Sequence, residues 1–207
     1  MTAAPERTGR TGRPPLTDEQ KGEIRLEIAV AALDLFAAQG VAATTGEQIG
    51  RAVGISARTV WRYFPSKEAC VRPLLSAGID AIAAELRAGP LAENLDRFVT
   101  DGLRLAPGRG IALIRLTRTE PGLRAVWLQS CDEAESAFAR ALAARAGLSP
   151  DDLRPTVQAA VLNAVLRAAV EHFAWHTYDP SADPDLAERQ WAQTVRQALA
   201  TASEGIA

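Results

Sequence analysis

The chain has 207 residues, a mass of 22.0 kDa and 47% hydrophobic content, enough to fill one large domain or a small domain joined to a larger one. Its formal net charge of -2 and pI of about 5.8 exclude a globally basic nucleic-acid binder, so any attraction to phosphate has to come from local arrangement. Two cysteines, Cys70 and Cys131, without metal-ligand spacing exclude a disulfide framework, and no run approaches about 18 uninterrupted apolar residues, which excludes a membrane-spanning helix.

Residues 1–16, MTAAPERTGRTGRPPL, carry glycine, arginine and proline without hydrophobic periodicity, the pattern of a flexible basic tail. That start lacks the apolar stretch of a secretion signal, and the expectation is a cytoplasmic protein in a reducing compartment. Arg7, Arg10 and Arg13 suit either a solvated tail or an arm that enters a minor groove.

Thr17 with Gln20 forms a capping-box pattern, and Ile24, Ile28, Ala31, Leu35 and Phe36 recur at helical spacing until Gly40. Thr44 and Thr45, each followed three residues later by Glu47 or Gln48, start a very short second helix whose apolar face is Ile49 and Val53, ending before Gly54. Ser56 caps a third helix that Pro65 ends. Ser66 is expected to start a fourth helix toward Ala88, disturbed at Pro73, which lacks the amide proton an interior turn needs.

Two short helices joined by a tight glycine-containing turn are the helix-turn-helix arrangement, whose second helix can lie in a major groove. Ile49, Val53, Ile55 and Val60 suit packing between the two, while Gly54 supplies an unusual backbone angle. Advancing about 100° per residue from Ala57 puts Ala57, Val60 and Phe64 on one side and Arg58, Thr59, Arg62 and Tyr63 on the other, with Trp61 at the boundary. Arginine grips guanine or phosphate, threonine meets a thymine methyl or a phosphate, and a tyrosine hydroxyl suits a backbone oxygen. Ser56 and Thr45 stand at helix starts, where amide protons favour phosphate.

The segments LFAAQG, TTGEQIGRAVGIS and ARTVWRYFPSKEA resemble the tetracycline-repressor (TetR) family of bacterial transcription regulators, over roughly residues 25–70. The resemblance implies that Thr45, Ser56, Arg58, Thr59, Trp61, Arg62, Tyr63 and Lys67 lie near DNA, with Phe36, Ile49, Val60 and Phe64 as core. Gly50 stands where the family usually has alanine, a tolerable change since both are small, and Trp61 where it usually has tyrosine. The implied organisation is a tail over 1–16, a DNA-binding domain over 17–66 and a helical regulatory and dimerisation domain over 67–207.

Downstream, Gly89-Pro90, Pro107-Gly108, Pro121-Gly122, Gly147 to Pro150 and Asp179 to Pro184 divide the chain into helix-length pieces, none alternating with period two. The expectation is an all-α protein of about nine helices. Ser149-Pro150-Asp151-Asp152 reads as a helix start with Pro150 at the first position, and Asp183-Pro184 repeats that logic for the last helix. Between Pro155 and Val170, Thr156, Asn163 and Arg167 form a narrow polar strip that Glu171 extends, with apolar residues around most of the rest, so this helix needs burial on more than one side. Trp191, Ala192, Val195, Ala198 and Leu199 share one face of the last helix. By the resemblance, the final two helices pair with their copies into a homodimer, and a small-molecule inducer sits in the second domain. Candidate lining residues are Phe98, Leu113, Trp127, Cys131, Phe138, His172 and Trp175, although Trp127, Cys131, Phe138 and Leu142 share a helical face that equally suits ordinary core. No cluster of acids or bases dictates ligand charge, which points to an apolar ligand.

His172 and His176, four residues apart, have a spacing that can hold a metal, with Glu171 or Asp179 as a third ligand, but no glutamate or cysteine placed to complete a known pattern. The functional expectation is a homodimeric repressor released from a palindromic DNA operator by a ligand, without cofactor. The alternatives are a regulator or activator without an inducer, and an enzyme carrying a DNA-binding head. Against the enzyme stand the absent phosphate-cradling glycine loop and nucleophile motif.

Overall fold

The structure, a computed structural model, describes residues 16–89 and 109–204. The tail arginines Arg7, Arg10 and Arg13, the piece between Pro90 and Gly108, and Phe98 lie outside the described residues. Among the described residues the fold is all-α: α1 Asp18–Gln39, α2 Gly46–Ala52, α3 Ala57–Tyr63, a 3-10 turn Glu68–Val71, α4 Arg72–Ala88, α5 Arg109–Leu116, α6 Pro121–Ala146, α7 Leu153–His172, a π-helical turn Phe173–Thr177, and α8 Pro184–Glu204. Eight α-helices are therefore described, where the punctuation suggested about nine in the whole chain.

The first three helices start where their caps dictate. Thr17 and Gln20 close a reciprocal capping box on α1, Thr45 and Gln48 close another on α2, and the Ser56 hydroxyl accepts the Thr59 amide at 3.1 Å at the start of α3. Two starts differ from expectation. Ser66 caps the 3-10 turn by accepting the Ala69 amide, and α4 begins only at Arg72, so Pro73 sits in a first turn where its missing proton costs nothing. Similarly α7 starts at Leu153, not around Pro150, because Asp152 accepts the Arg154 amide at 2.9 Å while Ser149 turns back onto Asp151. Asp183 caps α8 ahead of Pro184 as its sequence suggests.

The core begins on α1, where Ile28, Ala32, Leu33 and Phe36 are buried together with Val41, Ile49, Val60 and Phe64, and it continues through Cys70, Val71 and Leu75 into the second part of the chain. Burying a side chain the size of Phe36 contributes about 1.5–3 kcal/mol. The second part packs α6 between α4 and α7, with α8 on α7's far side. Phe173 packs against Trp191 in a tilted arrangement with ring centroids 5.5 Å apart, and Trp191, Ala192 and Val195 are buried within the chain, with Ala198 and Leu199 partly buried beside them. The polar strip of α7 meets α6 at Asn163, which donates to the Cys131 carbonyl at 2.9 Å, and at Glu171, which receives Arg124 and Trp127, while Thr156 is exposed and donates to the Asp152 carbonyl. About a quarter-turn round the helix from that strip, Leu153, Val157 and Val161 are 76%, 50% and 51% exposed. Thus α7 is covered on two sides by its own chain and left apolar and open on a third. No helix of the described residues is long and apolar enough to cross a membrane.

Candidate nucleic-acid interface

α2 and α3 form a tight pair because three glycines let them. Gly54 takes φ +71°, a left-handed angle that side chains avoid, and turns the chain between the helices. Gly50 faces that turn: its carbonyl accepts the Ile55 amide at 2.8 Å, and a Cβ on it would stand 2.6 Å from the Ile55 carbonyl oxygen. Alanine is therefore not an equivalent fit at Gly50 in this backbone. Gly46, at the first position of α2, lies under the Trp61 indole, and a Cβ there would overlap the ring.

With Val60 fully buried and Phe64 nearly so, α3 turns Arg58, Trp61 and Arg62 to solvent, with Thr59 and Tyr63 half-buried at its edges. The polar set thus shares one outward side. The Ser56 and Thr59 hydroxyls lie 2.9 Å apart, forming a small hydroxyl pair at the helix start. Trp61 is 43% exposed and packs on α2 over Gly46, while among the described residues its indole N–H has no acceptor. Both halves of the indole are thereby accounted for: one face packs, the donor edge is free.

Thr45 is more committed. Its hydroxyl accepts the Gln48 amide at 3.3 Å, and the Gln48 carboxamide, itself held by Gln39, accepts the Thr45 amide at 2.8 Å. The Glu47 backbone amide and then the Thr45 hydroxyl hold the Glu47 carboxyl below the usual carboxylate range. A phosphate approaching Thr45 therefore competes with a fixed negative charge at the same helix start. Lys67 reaches inward. Its ammonium donates to the carbonyls of Val41 at 2.5 Å, Thr44 at 3.1 Å and Ala42 at 3.4 Å, closing the loop between α1 and α2. Its three protons have protein acceptors, whereas among the described residues the guanidinium groups of Arg58 and Arg62 donate to no protein acceptor.

Sequence reasoning missed Gly46, whose only sequence signal is a glycine where a helix start tolerates most residues. It also missed Arg25 of α1, whose guanidinium carbon lies 6.0 Å from the Tyr63 ring centroid, with that of Arg62 at 5.4 Å from the same ring.

The residues named for an inducer pocket are divided by the structure. Leu113 and Phe138 are sealed core, Cys131 is buried, and His172 is exposed, its ring 5.2 Å from that of His176. Trp127 and Trp175 are brought together around charge: Arg124 pairs with Glu171 at 2.5 Å and lies 5.2 Å from the Trp175 ring centroid, Trp127 donates to Glu171 at 2.7 Å, and Trp175 donates to the Ile114 carbonyl at 3.0 Å. A half-buried acid–base pair does exist here, contrary to the expectation of none, and the sequence concealed it because its members are 47 residues apart. Burial pushes both the Cys131 and the Cys70 thiols up to about 12, so both stay protonated at neutral pH. Among the described residues no group of three or more His, Cys, Asp or Glu side chains is placed to hold a metal.

Residues 28–74 match a family model described as "Bacterial regulatory proteins, tetR family", and residues 108–193 match one described as "MftR C-terminal domain". The chain is 34% identical over 180 residues to the HTH-type transcriptional regulator TcmR of Streptomyces glaucescens, covering 80% of each protein. Among solved structures it resembles the fatty acid degradation regulator FadR from Bacillus halodurans, with a TM-score of 0.53 at 17% identity over 83% of this chain and 93% of that one. A tetR-family transcriptional regulator from Streptomyces coelicolor gives 0.50 at 20% identity over 86% and 89%. At these identities the structural matches speak to the fold.

Proposed function

Because the chain belongs to the TetR family of DNA-binding transcription regulators, we propose that it acts in the cytoplasm as a homodimeric repressor, released from a near-palindromic operator by a small molecule. The DNA-binding unit is assigned to residues 17–66 and the regulatory and dimerisation unit to 67–207. The observation that carries the reading is the outward set Arg58, Thr59, Arg62 and Tyr63 on a helix pinned by Val60 and Phe64. Arg58 and Arg62 supply base-edge or phosphate contacts, Trp61 and Tyr63 supply single donors, and Ser56 and Thr59 meet the backbone at the start of α3, while Thr45 serves chiefly to cap α2. Lys67 supports that face by holding the α1–α2 loop.

The dimer reading rests on the row Leu153, Val157 and Val161, too apolar and too continuous along α7 to suit a solvent face. Two copies related by a two-fold axis read half-sites about one helical turn, or a multiple of it, apart. For the ligand, the partly open surroundings of Trp127 and Trp175, with Arg124 and Glu171 between them, are a better site than Leu113 and Phe138, and they suit a ligand with polar groups as well as apolar surface.

Selection of bound duplexes from a random pool tests the reading. An inverted repeat among the selected sequences, bound by a species sedimenting as a dimer, is the expected result. A monomer at micromolar concentration, alone and with DNA, or a pool without a shared sequence, overturns it.

A further inference from the structure

The first half of α1 is acid-rich, yet Arg25 escapes it. Its neighbours three and four residues away on the helix are Lys21, Gly22, Ile28 and Ala29, so no acid stands one turn from it on that face, and Asp18, two turns back, is taken by Lys21 at 2.8 Å. Arg25 is exposed, and among the described residues it makes no ion pair. It lies instead against the ring of Tyr63, the last residue of α3, and Arg62 addresses that same ring. Two guanidinium groups from different helices thus converge on one half-buried phenol, and among the described residues neither is paired with an acid. Like charges gathered this way attract a shared anion, and the aromatic ring limits where each guanidinium can go.

We propose that Arg25 extends the DNA face onto α1: with Arg62, and with the Tyr63 ring as the spacer that orients both, it grips the sugar–phosphate backbone beside the groove that α3 enters. The inference rests on α3 being the recognition helix. Arg25 is then a backbone-positioning contact, adding affinity to every duplex without choosing a sequence. It also makes α1, not only the two-helix motif, part of the interface. Tyr63 acquires a role for its ring distinct from that of its hydroxyl.

The test measures the salt dependence of binding to the selected operator and to a random duplex of equal length. Removing one phosphate contact per protomer lowers the slope of log K against log salt by about 1.8 for a dimer, so the wild-type advantage over Arg25→Gln is about twelvefold larger at 50 mM than at 200 mM salt. Arg25→Lys restores the slope, Tyr63→Phe retains the Arg25 contribution, and Tyr63→Ala removes most of it. The loss is equal for operator and random duplex. A wild-type slope in Arg25→Gln overturns the proposal while leaving the recognition-helix reading intact, as does a fall in melting temperature without a change of slope. Failure of the wild type to bind any duplex overturns both.

Discussion

Lys67 separates two explanations for a basic residue beside a DNA-binding helix. Replacing it with methionine keeps most of the aliphatic stem and deletes the ammonium, taking the charged donor from the Val41 and Thr44 carbonyls, both on buried residues, and leaving the Val41 carbonyl only the Thr44 amide at 3.2 Å; the Ala42 carbonyl, on an exposed residue, hydrates freely. A hydrogen bond from a charged donor contributes roughly 1.5–3 kcal/mol. Water replaces part of two such bonds, so the net destabilisation is about 2–3 kcal/mol. For a chain of this length that is a fall in Tm of about 4–12 °C, measured at fixed protein concentration. Binding to all duplexes weakens together as the α1–α2 loop loosens, with the salt slope unchanged. An unaltered Tm together with a slope lowered by about 1.8 per dimer refutes the reasoning, because it shows the ammonium meeting phosphate and not the loop.

Gly46→Ala forces the Trp61 indole off the start of α2; since that ring is partly exposed and free to swing, stability changes by less than about 1 kcal/mol while operator affinity falls, and unaltered affinity contradicts the packing role. Val157→Asp puts a charge in the middle of the open row on α7 and leaves the monomer fold intact by circular dichroism; sedimentation then shows monomer, and a persistent dimer moves the interface elsewhere. Cys70 and Cys131 resist a thiol reagent at neutral pH until the chain unfolds, since burial holds both near 12. The native state keeps these protons while an unfolded thiol releases its own around pH 9, so the thiols' contribution to stability declines as pH rises through that interval; rising stability there contradicts the burial.

The parts of the fold that depend on neighbours in sequence were legible. Caps at Thr17, Thr45 and Ser56, the stop at Gly40 and the outward set of α3 are all decided within four residues of chain, the range over which a helix presents its own side chains. Where competing local signals coexist, the pattern does not choose. Ser149 and Asp152 are both good caps, and packing of Pro155 and Ala159 into the core selects the later one. Pairings across the chain were not legible at all: Lys67 on the loop carbonyls 23–26 residues back, Arg124 on Glu171, Arg25 on Tyr63. A lysine beside a recognition helix has the same sequence signature whether its ammonium points at phosphate or at a carbonyl.

Magnitudes also decide what joins the DNA-binding head to the rest. Arg109 of α5 reaches Asp34 of α1 at 3.4 Å, with both side chains more than half exposed, a pair worth at most about 1 kcal/mol in salt. By contrast Val71 is fully buried and Leu75 nearly so, at the point where the 3-10 turn and α4 meet α1 and α6. Shortening Val71 to alanine removes packed methyl groups at a cost of about 1–3 kcal/mol, more than the loss expected from Asp34→Asn. Melting curves of the two variants order the contributions, and an Asp34→Asn deficit equal to that of Val71→Ala refutes the ranking. If packing dominates, the small molecule proposed above cannot reorient the head by breaking one surface pair. It has to slide α4 and α6 as packed bodies, because a close-packed seam moves between discrete arrangements and does not stretch.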